Sequence, residues 1–248
     1  VALFLSTYAA LCAVYPVLAR FVKTTRQAAW ILPTVVSVAM TAASLAFVRD
    51  YLRSGGDVTQ VQPRQPLAVA VNRFFQVQTL SSSDLTVGAI CYRSQMNFLT
   101  GWVHHVAYVG VNEIAIRQGC AHIFCLAAFM ELPTFLLGLG TVVPRLRSDR
   151  LFAIVFFLTR IVFHILLIGA YARAAPGGSH VPSALLLTAF PLHALWFANF
   201  VRGYLRRAAA IPARYPLTPD VHPDARSLAR HAAALGASVP PSDVTLRA

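Results

Sequence analysis

Five runs of apolar residues, at 1–19, 29–48, 119–140, 151–172 and 181–201, each match the roughly 20 residues that a helix needs to cross a bilayer's hydrocarbon core. The runs are continuous rather than alternating, and this restricts the fold more than any other feature. A backbone in lipid finds no water, so its N–H and C=O groups must bond to one another in helices or in a closed barrel. Barrel strands alternate apolar and polar residues, and these runs do not. The expected fold is therefore all-α, a polytopic membrane bundle. Composition agrees, because only 12% of the 248 residues are charged, against about 25% where a surface must be wetted.

Two further segments are more polar. Residues 98–116 carry His104, His105, Asn112 and Glu113, and residues 68–92 carry Asn72, Arg73, a Ser81-Ser82-Ser83 run and Asp84. Charge placement decides whether the second one spans. If it does, Arg20, Lys23 and Arg26 share a side with Arg93, with Arg145, Arg147 and Arg150, and with the tail from Arg202. Without it, the Arg145 to Arg150 group and the Arg202 to Arg207 group fall on the side opposite the first loop. Basic residues favour the cytoplasmic side, so about seven spans are expected, with the C-terminal tail cytoplasmic. Residues 1–19 lack a basic leader and a cleavage site, and read as a span rather than a signal peptide. The chain then divides into 1–28 (a first helix and basic loop), 29–207 (the main transmembrane domain) and 208–248. The last is a Pro/Ala-rich tail, extended from about 209 apart from one short helix over 224–235.

The net charge of +12 is spread in short groups between apolar runs. That is the placement of topology determinants, not of a basic face with interleaved aromatics, so nucleic acid is not an expected partner. Cys12, Cys91, Cys120 and Cys125 form no C-x-x-C pair and read as small buried hydrophobes. No internal repeat points to an inverted-repeat transporter.

An ionisable side chain within a span costs about 2.5–3.5 kcal/mol on insertion scales, so such residues tend to face the bundle interior. In 98–116, helical spacing places His105, Tyr108 and Asn112 on one face. A histidine there can serve as base or nucleophile, or simply hold helices together. In 119–140, Pro133 frees the carbonyl of Phe129 and is expected to kink the helix beside Glu131; His122 is expected at the membrane interface. In 151–172, Arg160 and His164 stand four residues apart, and Arg160 needs an anionic partner, Glu131 first and Asp84 second. Such a pair fixes helix register whether or not it has a chemical role. In 181–201, His193, Trp196 and Phe200 share a face. Adjacent His104 and His105 point about 100° apart, poor geometry for chelation, and there is no H-x-x-H cluster, phosphate loop or G-x-S-x-G elbow. No metal and no cofactor are expected.

In order along the chain, Ser83-Asp84-Leu85, Thr100-Gly101-Trp102-Val103-His104-His105, Glu131-Leu132-Pro133-Thr134-Phe135, Phe156-Phe157-Leu158-Thr159-Arg160-Ile161 and Trp196 with Arg202-Gly203 resemble the motifs of the TLC-domain family. That family contains ceramide synthases and the translocating-chain-associated membrane protein. The resemblance covers about residues 30–207. It implies a barrel of six helices around a central lipid-accessible cavity, and a place in the endoplasmic reticulum. Two departures separate this chain from ceramide synthesis. Residues 120–135 contain no aspartate where the synthases carry two, and His193 stands where the family usually has Asn.

Three functions are compatible with these residues. The first is lipid or acyl-chain handling that influences membrane lipid composition, with Tyr108, Asn112, Arg160, His164, His193 and Trp196 contacting the lipid. The second is an acyltransferase using His104 or His105 as base or nucleophile and Glu131 to orient it, with acyl-CoA as donor. The third is a non-catalytic partner in a membrane protein complex. In each, Asp84 and Pro133 are structural, and membrane lipids are the surroundings or the partner.

Overall fold

The computed structural model describes residues 2–81, 86–96, 98–175 and 179–214. The described residues contain helices and no strand. Among the described residues, four helical stretches are long and apolar enough to cross a membrane: Thr25–Arg53, His122–Val142, Asp149–Arg173 and Val181–Ala209. The chain divides into two units, residues 1–199 and 200–248.

The first unit begins with α1 (Ala2–Ala19), and α2 (Thr25–Ala29) then leads into α3 (Ile31–Arg53). Thr24 opens α2 with a reciprocal cap: its hydroxyl accepts from the Gln27 amide at 3.1 Å, while the Gln27 carboxamide oxygen accepts from the Thr24 amide at 3.2 Å. Such a box satisfies amides that the first turn would otherwise leave unpaired. The Gln27 side chain also donates to the Val142 carbonyl at 3.2 Å, tying this corner to a distant helix end. Helix α3 runs five residues beyond the expected 29–48. Its buried side, with Leu32, Val36, Met40, Phe47 and Tyr51, supplies both apolar cores.

Residues 68–92 do not form one regular span. Helix α4 (Gln65–Ser81) ends before 82–85, which lie outside the described residues, and a five-residue α5 (Val87–Cys91) follows. Asp84 and the Ser83-Asp84-Leu85 motif thus fall outside the described residues. Helix α4 packs on α1 and on α6 (His104–Arg117). The stretch from 119 to 140 begins instead at His122, with α7 (His122–Ala127), a tight 3-10 turn over Ala128–Glu131, and α8 (Leu132–Val142). Helix α3 lies along all three. The approach is close at Gly138, where a Cβ would collide with the Thr34 hydroxyl and lie 3.3 Å from the Trp30 ring.

After Ser148, whose hydroxyl accepts from the Leu151 amide at 3.2 Å, come α9 (Asp149–Phe156), a π-helical stretch Phe157–Phe163, and α10 (His164–Arg173). Helix α11 runs over Val181–Arg214, so the expected extended tail from about 209 is helical as far as Arg214. Its Ala-rich sequence over 208–210 favours helix. The expected short helix over 224–235 lies outside the described residues. In the second unit, Phe200 and Tyr204 stack one turn apart with ring centres 6.2 Å apart. Cys120 and Cys125 are buried, Cys12 is half-buried, and Cys91 is exposed rather than buried as expected.

Candidate functional site

The site begins with Pro133. Proline has no N–H, and its ring crowds the carbonyl four residues back. The chain does not carry an α-helix through this point: Ala128–Glu131 tighten into a 3-10 turn, and Pro133 falls in the first turn of α8, where a missing N–H costs nothing. The expected irregularity beside Glu131 thus takes the form of a changed helix type. It leaves the Met130 carbonyl available to a side chain from another helix.

That side chain is Arg160. Its Nε donates to the Met130 carbonyl at 2.7 Å, and its Nη2 donates to Glu131 Oε1 at 3.1 Å and to Thr134 Oγ1 at 2.7 Å. The other Glu131 oxygen accepts from the Ser37 hydroxyl at 3.4 Å. The ion pair expected from the sequence is present, and it is unequally buried: the side chain of Arg160 is 7% exposed and that of Glu131 33%. The guanidinium carbon also lies over the rings of Phe156 and Trp196, at 5.4 and 5.5 Å, within the range of cation–π attraction.

Arg160 stands inside the π-helical stretch Phe157–Phe163, and a second such stretch covers Phe98–Val103. Each ends immediately before a histidine, His164 in one case and His104 in the other. A π turn inserts one residue into the helical count and often occurs at functional sites. Gly101 lies in Phe98–Val103, while Phe157–Phe163 contains neither Gly nor Pro; composition did not announce it.

Arg160 adjoins a chain of aromatic rings through Trp196. His164 and His193 meet Nδ1 to Nδ1 at 3.0 Å, and His164 Nε2 lies 3.0 Å from the Leu186 carbonyl. The His193 ring is 5.9 Å from Trp196, Trp196 is 5.4 Å from His104, and His104 is 4.4 Å from Tyr108. His164 and His193 are buried, whereas Trp196, His104, His105 and Tyr108 are half-buried. Arg160 and Glu131 both act electrostatically on the Tyr108 hydroxyl, which places it in the same neighbourhood.

Of the residues expected on one face, Tyr108 joins this cluster through His104. His105 makes an edge contact with His104, with ring centres 5.2 Å apart. Asn112 is fully buried, and neither of its side-chain polar atoms has a hydrogen-bond partner among the described residues. His122 opens α7 and is 6% exposed, with Nδ1 3.3 Å from the Gln65 carboxamide oxygen and its ring 5.9 Å from Tyr171.

The sequence reading missed three elements of the site: Thr134 and the Met130 carbonyl as Arg160 partners, and the His164–His193 contact. It also missed a second ionic cluster. Glu113 accepts from Arg73 at 2.6 Å, from Arg117 at 2.8 Å and from Gln76 at 3.3 Å. The i,i+4 spacing of Glu113 and Arg117 was a visible signal for part of it.

Among the described residues no group of three His, Cys, Asp or Glu side chains is placed to hold a metal ion. Two open surface hollows among the described residues are lined by Asp50, Arg53, Ser54, Asp57 and Gln60, and by Arg202, Leu205 and Arg206. Compared with known proteins, the chain matches no family model, no curated protein and no solved structure.

Proposed function

We propose that this chain is a multi-pass membrane protein of the TLC type, with about seven spans and a cytoplasmic tail, that handles lipids or acyl chains in the endoplasmic reticulum and so influences membrane lipid composition. The observation that carries this reading is a graded polar cluster. Arg160 is buried and donates to three acceptors, while His104, His105, Tyr108, Trp196 and Glu131 of the same cluster are only half-buried. Polar groups are costly at membrane depth, and a cluster with a partly open rim suits a lipid carbonyl or headgroup better than a sealed core would. Val103, Val106 and Leu195, all exposed, offer apolar surface on the same helices for a chain to lie along.

A second reading, a non-catalytic partner in a membrane complex, is favoured by a specific observation. The three acceptors that hold Arg160 all belong to the protein itself, so its charge is balanced without a bound ligand. An acyltransferase related to ceramide synthase needs Glu131 to orient His104 or His105, and Glu131 is engaged by Arg160 and Ser37.

Native mass spectrometry with lipidomics on the gently purified protein tests the proposal, comparing wild type with His104→Ala and His105→Ala. A lipid enriched over the bulk membrane and lost in either variant supports lipid handling; a covalent acyl adduct moves the reading to the acyltransferase. Wild-type protein that retains no particular lipid sinks both and leaves the structural reading.

A further inference from the structure

Helix α11 is longer than the membrane core it can cross. Its 34 residues, Val181–Arg214, measure roughly 51 Å at 1.5 Å per residue, and a hydrocarbon core is about 30 Å thick. The apolar run 181–201 accounts for the core, so residues 202–214 belong at headgroup depth and beyond. They include Arg202, Arg206, Arg207 and Arg214, and the sequence from 181 to 219 contains no Asp or Glu. Basic residues at the end of a span set its orientation. Four of them with no acid on the helix also leave charge that the helix cannot neutralise.

The side chains gather that charge over one turn. Arg206 folds back so that its Nε lies 3.4 Å from the Arg202 carbonyl. Arg207 folds back likewise: its Nη1 lies 3.4 Å from where a Cβ would stand at Gly203, so the glycine lets the guanidinium lie close to the helix. Helical side chains lean toward the N-terminus of their helix, here toward the apolar run. Arg202, Leu205 and Arg206 line an open hollow in this turn and are all exposed, Leu205 by 59%. The Arg202 carbonyl takes one of the five N–H donors of Arg206, and the remaining planar fork matches the oxygens of a phosphate or carboxylate. In the same segment Tyr204 stacks on Phe200, and tyrosine favours the boundary between membrane and water. We infer that the Arg202–Arg206 hollow binds the headgroup of an anionic phospholipid, with Leu205 against its glycerol end and Arg207 adding charge. Charge complementarity and headgroup depth select this occupant. The inference needs only that α11 crosses the membrane, and it stands whether or not the histidine cluster handles lipid.

The test uses the full chain in nanodiscs of phosphatidylcholine mixed with phosphatidylserine. Native mass spectrometry counts the lipids that stay bound as the disc is stripped away. Wild type should retain phosphatidylserine above its share of the disc, and the preference should weaken as salt rises. Arg202→Gln and Arg206→Gln should each lower that preference about fivefold, the worth of one basic residue near an anionic surface. Glutamine is close to arginine in helix propensity, so the helix should persist. Arg145→Gln removes the same charge from an exposed arginine outside this helix and should change nothing. Wild type that keeps the two lipids in disc proportion would overturn the inference. So would a preference untouched by both α11 variants, or one that Arg145→Gln lowers equally, since overall charge would then hold the lipid. Proportional retention together with capture of a polyglutamate peptide, lost in Arg206→Gln, would make the hollow a protein contact instead. None of these outcomes bears on the histidine cluster, whose lipid is read with His104→Ala and His105→Ala.

Discussion

Two Arg–Glu clusters in the first unit use the same chemistry in opposite settings. In the inner one, Arg160 from the π-helical stretch meets Glu131, and the remaining bonds come from a backbone carbonyl and a threonine hydroxyl. In the outer one, Glu113 is shared between Arg73 and Arg117, whose side chains are 48% and 77% exposed. The outer charges keep contact with their surroundings and can exchange partners, so each bond adds little. The inner guanidinium has no such alternative; any partner it loses goes unreplaced. Three differently sourced acceptors within one turn show that the 3-10 segment and Pro133 are part of how this cation is accommodated, beyond whatever the carboxylate supplies.

The largest expected effect comes from removing one side of the inner cluster. Arg160→Leu should destabilise by on the order of 3 kcal/mol, toward the lower end for a broken buried pair because Glu131 is one-third exposed. Unfolding in mixed micelles measures it. Adding Glu131→Leu should restore part of the loss; a double variant no better than Arg160→Leu alone would show that the carboxylate is not what Arg160 requires. Next comes the seam beneath the inner cluster. Gly138→Ala should cost about 1–3 kcal/mol through the clash with Thr34. Thr34→Ala in the same chain should relieve most of it, and absence of relief would mean that α3 and α8 are not so closely packed.

The outer cluster should respond less. For Glu113→Gln the melting temperature should fall by clearly less than for Arg160→Leu, and the loss should shrink as salt rises, since exposed pairs are screened. An inner-cluster loss that shrank with salt in the same way would erase the distinction between the two. The smallest effect belongs to the connection between α3 and α4. There Asp57 accepts from the Thr59 amide at 2.9 Å and hydroxyl at 2.7 Å. Those bonds hold its carboxyl below the ordinary value of 3.8. A lowered pKa means a contribution that is full above the unfolded value and lost as pH falls through the folded one. Thr59→Val should therefore melt slightly below wild type at neutral pH, with the gap closing in acid below pH 3.8. A gap that widened in acid would reverse the sign of the argument.

Much of this arrangement was legible in the residues themselves, because the relevant physics is local. Long continuous apolar runs exclude strands whatever the partners, and the helical structure of the described residues follows from them. An arginine amid apolar side chains requires an acid, and Glu131 was the nearest candidate by span. Pro133 had to interrupt a helix beside it. Other features depended on relations between helices that no one-dimensional pattern contains. Spacing within α6 places His104 and His105 equally well beside Tyr108. Which of them meets Trp196 depends on how far the helix is rotated about its axis, and packing sets that rotation. Residues 68–92 carried enough apolar character to read as one span, yet α4 stops at Ser81.

By itself, then, the sequence determined the helical class, the apolar stretches and the charges that must find partners, since each follows from the cost of an unpaired polar group in an apolar setting. The tertiary structure alone decided the partners. His164 and His193 lie 29 residues apart on different helices, and two π-helical turns shift the helical phase just before His104 and His164. Which ring faces which is a consequence of that packing.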